Sequence, residues 1–252
     1  FIITDIAKNF FVKQLYESDF GNNIAKSYLI ERGFSDSIIE RFDVGCLTNS
    51  IDDLKNFLIG KKYKIDDLHS LGLVSSNTNY DVYKSRIIFP IKTISGRTAG
   101  FGARTLKSNY KSAKYINSPE SIIYNKSKIL YGLYNSKSEI VKKDNCYIVE
   151  GYTDVLRFHQ KDIKNVVSSS GTAMSTDQIN LIRRLTKNIT MLYDSDKAGI
   201  SATVRSIDMI LEQNMNVNIV LFPESEDPDS FARNKESKEI INYLNENSID
   251  FI

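Results

Sequence analysis

Four short apolar runs, Cys146–Val149, Val166–Val167, Ile189–Tyr193 and Val217–Phe222, alternate with helical stretches through the second half of the chain, and this alternation constrains the fold more than any other feature. Each run has the length of a strand, and Thr153–Gln160, Thr176–Leu185 and Ala198–Gln213 between them read as helices. Ser175 with Gln178 forms a capping-box signature at the start of the second helix. In the third, Ile200, Val204, Ile207 and Leu211 mark one face at spacings of four, three and four. Strand–helix alternation with short links predicts an α/β fold, a parallel sheet covered by helices on both faces. In such sheets the functional crevice lies beyond the carboxyl ends of the strands.

Carboxylates stand at those ends. The first run leads into Glu150-Gly151, the third into Asp194-Ser195-Asp196, and the fourth is followed by Asp227-Pro228-Asp229. Residues two apart on an extended chain point the same way, so Asp194 and Asp196 can converge. Five carboxylates at one sheet edge repel, at about 4 kcal/mol for two charges roughly 4 Å apart in an effective dielectric of 20. Cations relieve that repulsion. With oxygen ligands only, the hard ions Mg²⁺ or Mn²⁺ are favoured. Two of them roughly 3.5–4 Å apart suit phosphoryl transfer.

The first half reads differently. Asp5–Glu17 is expected to be helical, with Ile6, Phe10, Val12 and Tyr16 along its face. Further helices are expected over Asn22–Glu31, ending at Gly33, and from a Ser35 cap to Arg41, with one or two more in Lys55–Leu71. Arg86–Ile91 is strand-like, its Pro90 arguing for an edge position or a bulge, and Thr98–Thr105 completes a hairpin around Ser95-Gly96. Lys84–Lys143 carries thirteen Lys and Arg against two acids, Glu120 and Glu139, whereas Asp144–Glu236 carries fourteen acids against ten bases. A basic block followed by an acidic one suits a protein that holds a polyanion on one surface and cations on the next. Tyr110, Tyr115 and Tyr124 interleave with the lysines, an arrangement compatible with base stacking.

Other classes are disfavoured. Cys46 and Cys146 lie far apart and His69 and His159 are the only histidines, so zinc spacing is missing and the cysteines read as buried hydrophobes, compatible with a reducing cytoplasm. Apolar runs fall short of the roughly 18 residues of a membrane span. The start at Phe1, without a signal-peptide pattern, reads as a segment of something longer.

Glu150-Gly151-Tyr152-Thr153-Asp154-Val155, Ser170-Gly171-Thr172-Ala173, Asp194-Ser195-Asp196-Lys197-Ala198-Gly199 and Glu226-Asp227-Pro228-Asp229 resemble the Toprim module of bacterial replicative primases. The family has Gly where Ser195 stands, a change that removes no carboxylate. Upstream, Arg86–Ile91, Gly100-Phe101-Gly102-Ala103-Arg104, Lys114–Glu120, Tyr124-Asn125-Lys126 and Leu130-Tyr131-Gly132 resemble the basic subdomain of the same family. Arg32-Gly33-Phe34 and Arg41–Gly45 resemble its helical start. The resemblance covers nearly the whole chain.

It implies three parts: a mixed α/β nucleic-acid- and nucleotide-binding subdomain over 1–143, a Toprim catalytic module over 144–234, and the start of a helical part over 235–252. It implies a primase core that makes short RNA primers on single-stranded DNA from ribonucleoside triphosphates, leaving an RNA–DNA hybrid. Glu150, Asp194 and Asp196 are the implied catalytic residues. With Asp227 and Asp229 they are also the implied ligands of two or more Mg²⁺ or Mn²⁺ ions. Arg86, Arg104, Lys114, Asn117 and Lys126, with Arg41 and Arg97 as weaker candidates, are the implied nucleotide and nucleic-acid contacts. Family members reach the replicative helicase through a C-terminal domain, and carry a zinc-binding domain, that this sequence does not contain. The rival readings are a Toprim nuclease or topoisomerase, and a non-catalytic single-strand-binding platform.

Overall fold

The computed structural model describes residues 1–106, 113–171, 173–193, 206–223 and 226–251. The chain divides into two compact units, Phe1–Asn125 and Lys126–Ile252.

The first unit begins with α1 (Ile2–Glu17), which runs into a π-helical turn, Gly21–Lys26, and α2 (Ser27–Glu31). The single helix expected over Asn22–Glu31 is thus wound in two ways. The π turn opens at Gly21, where a Cβ would stand 2.0 Å from the Gln14 carbonyl oxygen, so the chain passes too close to α1 for any side chain. The buried face of α1 is Thr4, Ala7, Phe11 and Leu15, with the expected Ile6, Phe10, Val12 and Tyr16 only half-buried. Helix α3 (Asp36–Arg41), strand β1 (Gly45–Leu47), and helices α4 (Asp53–Gly60) and α5 (Ile65–Ser70) follow.

An antiparallel sheet closes the unit, in the order β1-β2-β3-β4, with β2 at Arg86–Lys92, β3 at Thr98–Thr105 and β4 at Tyr115–Asn117. The expected hairpin is present, Lys92 pairing with Thr98 after a register shift at Ile91/Lys92. Pro90, expected on an edge strand or at a bulge, sits one residue before that shift on an interior strand. It is tolerated because β1 pairs only with Arg86, Ile87 and Ile88, so the side of Pro90 facing away from β3 meets no strand. Phe11 of α1 packs edge-on against Phe101 of β3 and Tyr83, with centroids 5.2 and 6.1 Å away. Two polar contacts tie the same helix to β3: Thr4 Oγ1 donates to the Thr98 carbonyl at 2.6 Å, and Asp5 Oδ1 accepts from the Thr98 amide at 3.0 Å.

Asp81 caps α4 from a distant loop, accepting the Leu54 and Lys55 amides at 2.8 and 3.0 Å while only 2% exposed. Burial pushes its carboxyl up to about 6, with Asp53 and Asp52 adding to the rise and the two amide bonds opposing it. The unfolded carboxyl titrates near 3.9, so between these values the folded state holds the proton and the unfolded state has lost it. Stability from this group is therefore present below about pH 4 and falls as pH rises towards 6, by on the order of 3 kcal/mol at most. Urea unfolding at successive pH values between 4 and 7 should show a wild-type decline, relative to Asp81→Asn, across that window. Parallel curves would show that Asp81 does not titrate there.

In the second unit a 3₁₀ turn (Lys126–Lys128) and α6 (Leu133–Lys143) precede a five-stranded sheet of order β6-β5-β7-β8-β9. Its strands are β5 (Cys146–Val149), β6 (Val166–Ser168), β7 (Asn188–Tyr193), β8 (Asn216–Leu221) and β9 (Ile249–Asp250). The first four are the expected apolar runs and pair in parallel. The helices are α7 (Tyr152–Gln160), α8 (Thr176–Arg183), α9, whose described part is 206–212, α10 (Pro228–Arg233) and α11 (Ser237–Glu246). The capping box at α8 forms as expected, with Ser175 Oγ accepting the Gln178 amide at 3.1 Å and Gln178 Oε1 accepting the Ser175 amide at 3.0 Å.

The compact units divide at Asn125/Lys126, earlier than the subdomain boundary at 143 that the family resemblance implies. Helix α6 belongs with the second unit because its buried Ser136 donates to the Val166 carbonyl at 2.7 Å and meets His159 Nε2 at 3.0 Å. The tail read as the opening of a helical part also returns to this sheet, β9 pairing antiparallel with β8.

Candidate active site

Parallel pairing puts the carboxyl ends of β5, β7 and β8 side by side: Ile148 is level with Met191, and Tyr193 with Leu221. Glu150 follows β5 directly and is half-buried. The peptide that joins it to Gly151 is held from both sides. Its carbonyl accepts from Ser168 Oγ at 2.6 Å and from the Gly171 amide at 3.2 Å, and its N–H donates to Asp154 Oδ2 at 2.8 Å. Gly151 is the N-cap of α7, and a Cβ there would lie 3.2 Å from Asp154 Oδ2, so glycine lets the carboxylate close over the amide.

Ser168 is itself fixed. It is fully buried at the end of β6 and exchanges both backbone hydrogen bonds with Tyr131, at 2.9 and 3.0 Å. The loop that follows turns through left-handed backbone at Ser170 (φ 64°) and Gly171 (φ 83°), which brings the Gly171 amide back onto Glu150. Three hydrogen bonds from three segments thus set the plane from which the Glu150 side chain departs.

The other acidic candidates are arranged unequally. Asp227 is exposed and caps α10, its Oδ1 accepting the Ser230 amide at 2.6 Å. Asp229 is 3% exposed and ion-paired to Arg157, Nε to Oδ1 at 2.6 Å, with Arg233 Nη2 3.4 Å from Oδ2. Asp194 and Asp196 lie outside the described residues; the strand leading to them is described through Tyr193. Among the described residues no three His, Cys, Asp or Glu side chains gather closely enough to hold a metal ion. Glu150 and Asp227 are accessible oxygen donors and fit a hard divalent cation. Asp229, engaged by two guanidinium groups, does not.

The basic candidates of the first unit are divided by the pleat. Arg104 pairs with Ile87 and with Tyr115, while Arg86 pairs with Thr105, so Arg104 and Arg86 project from opposite faces of the sheet. Arg86 is 7% exposed and both of its terminal nitrogens donate to the Ala113 carbonyl at 3.1 Å; it fixes the chain entering β4. Arg104 lies between two aromatic rings, 4.9 Å from the Tyr28 centroid and 5.7 Å from that of Tyr115, an arrangement that leaves its charge on the Tyr115 and Asn117 face. Lys114, Arg41 and Arg97 are exposed, the last over the Phe1 ring at 4.5 Å. Lys126 belongs to the second unit, where its carbonyl accepts from Gln178 Nε2 at 3.0 Å.

Sequence reading missed Tyr28, Ser168 and Arg157. Ser168 and Tyr28 carry no local signal. Nor does Arg157, whose apolar neighbours Leu156 and Phe158 point to other sides of the helix and whose burial only the fold reveals.

Fold and site define a class: a basic antiparallel unit followed by an α/β sheet with acidic residues at its carboxyl edge, as in Toprim-like proteins. The family model for the N-terminal domain of the DNA primase catalytic core matches residues 10–137, and the Toprim-like model matches 147–232. The DNA primase of Staphylococcus epidermidis is 34% identical over 232 residues, which span 90% of this chain and 38% of that protein. The catalytic core of the Escherichia coli primase superposes with a TM-score of 0.90 at 30% identity, covering 99% of this chain and 80% of that one. A DnaG primase catalytic domain solved bound to single-stranded DNA superposes at 0.89 and 29% identity, covering 99% and 81%. The chain belongs to the DNA primase catalytic-core family.

Proposed function

We propose that this chain carries out the nucleotidyl transfer of a primase, in which a 3′-hydroxyl attacks the α-phosphorus of an incoming ribonucleoside triphosphate and pyrophosphate leaves. The observation that carries the reading is the immobilised Glu150–Gly151 peptide at the end of β5, beside the strand that leads into Asp194-Ser195-Asp196. Two or more Mg²⁺ or Mn²⁺ ions held by these carboxylates would, when bound, acidify the attacking hydroxyl and stabilise the departing pyrophosphate. Glu150 departs from that immobilised peptide and is the side chain best suited to accept the hydroxyl proton.

In the first unit, Arg104 between its tyrosines, with Lys114, Asn117, Arg41 and Arg97, holds phosphates of the template and the triphosphate. Lys126 does the same from the second unit. Arg86 serves them indirectly, by fixing the approach to β4. The single-stranded DNA on the related catalytic domain supports the template assignment. The product is an RNA–DNA hybrid, the compartment is the cytoplasm, and the replicative helicase is a further partner, reached through a C-terminal domain. No helix among the described residues is long and apolar enough to cross a membrane.

The test is template-directed synthesis with labelled ribonucleotides and Mg²⁺ or Mn²⁺. Cleavage of DNA without triphosphates would favour a Toprim nuclease or topoisomerase instead, and DNA binding with no product would favour a non-catalytic platform. Template binding should also respond to salt. For about four neutralised phosphates, log affinity for single-stranded DNA should fall with log salt at a slope near −2.8. Arg104→Ala and Lys114→Ala should each flatten that slope and weaken binding on all sequences alike. Salt-independent titrations would remove the basic face from the template path.

A further inference from the structure

Arg157 is the largest fully buried side chain among the described residues. It lies on α7 between the fully buried Leu156 and Phe158, and its Nε donates to Asp229 Oδ1 at 2.6 Å, across 72 residues of sequence. The two side chains are 1% and 4% exposed, so neither ion has water to fall back on. A buried guanidinium left alone, or a buried carboxylate left alone, is strongly destabilising; as a hydrogen-bonded pair they are mutually compensated. The remaining oxygen of Asp229 faces a second guanidinium, that of Arg233, at 3.4 Å. Asp229 also stands in the first turn of α10, directly after Pro228, where a negative charge faces the positive end of the helix.

This arrangement differs from what the Asp227-Pro228-Asp229 spacing implies. A divalent ion on Asp229 would have to sit against a guanidinium already bonded to the same carboxylate, or expel Arg157 into apolar surroundings. Asp227, two residues earlier, has neither obstacle: it is exposed at the N-cap of α10. We infer that Arg157 is the resident cation of Asp229, and that divalent metal at this sheet edge is held without Asp229, whose part is to join α10 to α7. The inference rests on the reading of the acidic edge as a metal site, and Arg157 and Asp229 lie outside its ligand set.

Manganese titration followed by electron paramagnetic resonance, on the chain with no nucleotide present, separates the possibilities. Asp229→Asn should bind Mn²⁺ with wild-type stoichiometry and within about twofold of wild-type affinity, while Asp194→Asn should lose at least about tenfold. An Asp229→Asn protein that loses one Mn²⁺, or weakens tenfold, would overturn the inference. An Asp194→Asn protein with an unchanged titration would remove the metal from the acidic edge altogether, and the assignment to the remaining carboxylates with it. Arg157→Met frees a buried carboxylate, so its melting temperature should rise more steeply with Mn²⁺ than that of the wild type; an equal response would show that Arg157 does not stand in for a metal. Because that variant may fail to fold, Arg157→Met combined with Asp229→Leu removes both charges at once. The double variant should keep wild-type Mn²⁺ binding, and loss of binding there would return Asp229 to the ligand set.

Discussion

Glu150→Gln should lower primer synthesis by about 10² or more while leaving the affinity for single-stranded DNA nearly unchanged. The substitution preserves shape and removes one negative charge. The backbone at this position is held independently of the side chain: Ser168 and Gly171 hold the Glu150 carbonyl, and Asp154 holds the next amide. The amide side chain therefore leaves from the same peptide plane as the carboxylate did. The expected size follows from other preorganised sites, where one lost charge-stabilising group costs about 10²–10³ in rate. Extension of a labelled primer and fluorescence anisotropy on the same template measure the two quantities together. A variant with full synthesis would take Glu150 out of the chemistry, and one that also loses DNA binding would point to a disrupted fold.

The second large effect is on stability. Phe11→Ala should cost about 3–5 kcal/mol, the usual range for emptying a buried aromatic site. Phe11 is fully buried and meets Phe101 and Tyr83 edge-on, so truncation removes both ring contacts at once. Its neighbour Phe10 is half-buried and leans on Phe57 at 4.5 Å, so Phe10→Ala should cost clearly less. Urea unfolding of both variants decides which face of α1 carries the core. Equal losses would show that the helix is bound as much through Phe10 as through Phe11.

That pair also marks where sequence reading loses accuracy. The true face of α1 includes Thr4 and Ala7, which no hydrophobic pattern marks, so Ile6 and Phe10 drew the face one residue aside. The four parallel strands were legible because burial on both sides demands unbroken apolar runs. Strand β9 was not, being two residues long with an aspartate as its second. Positions at strand ends could be read for Glu150 and Asp227. The state of Asp229 could not, since its partner lies 72 residues earlier and only tertiary packing brings it near. Arg86 shows the same limit: its composition says phosphate, whereas its neighbours in space are the Ala113 and Lys114 carbonyls.

The tie between α1 and β3 has a consequence for the way the chain is made. Thr4 and Asp5 reach across the sequence to Thr98, and Phe11 packs on the rings of Tyr83 and Phe101. On a ribosome adding roughly 5–20 residues per second, the helix emerges some 5–20 s before the strand that covers it. Over that interval Phe11 lacks the rings of Tyr83 and Phe101 that enclose it in the folded unit. A ribosomal pause before the codon for Thr98 lengthens that exposure, whereas one after the codon for Thr105 does not.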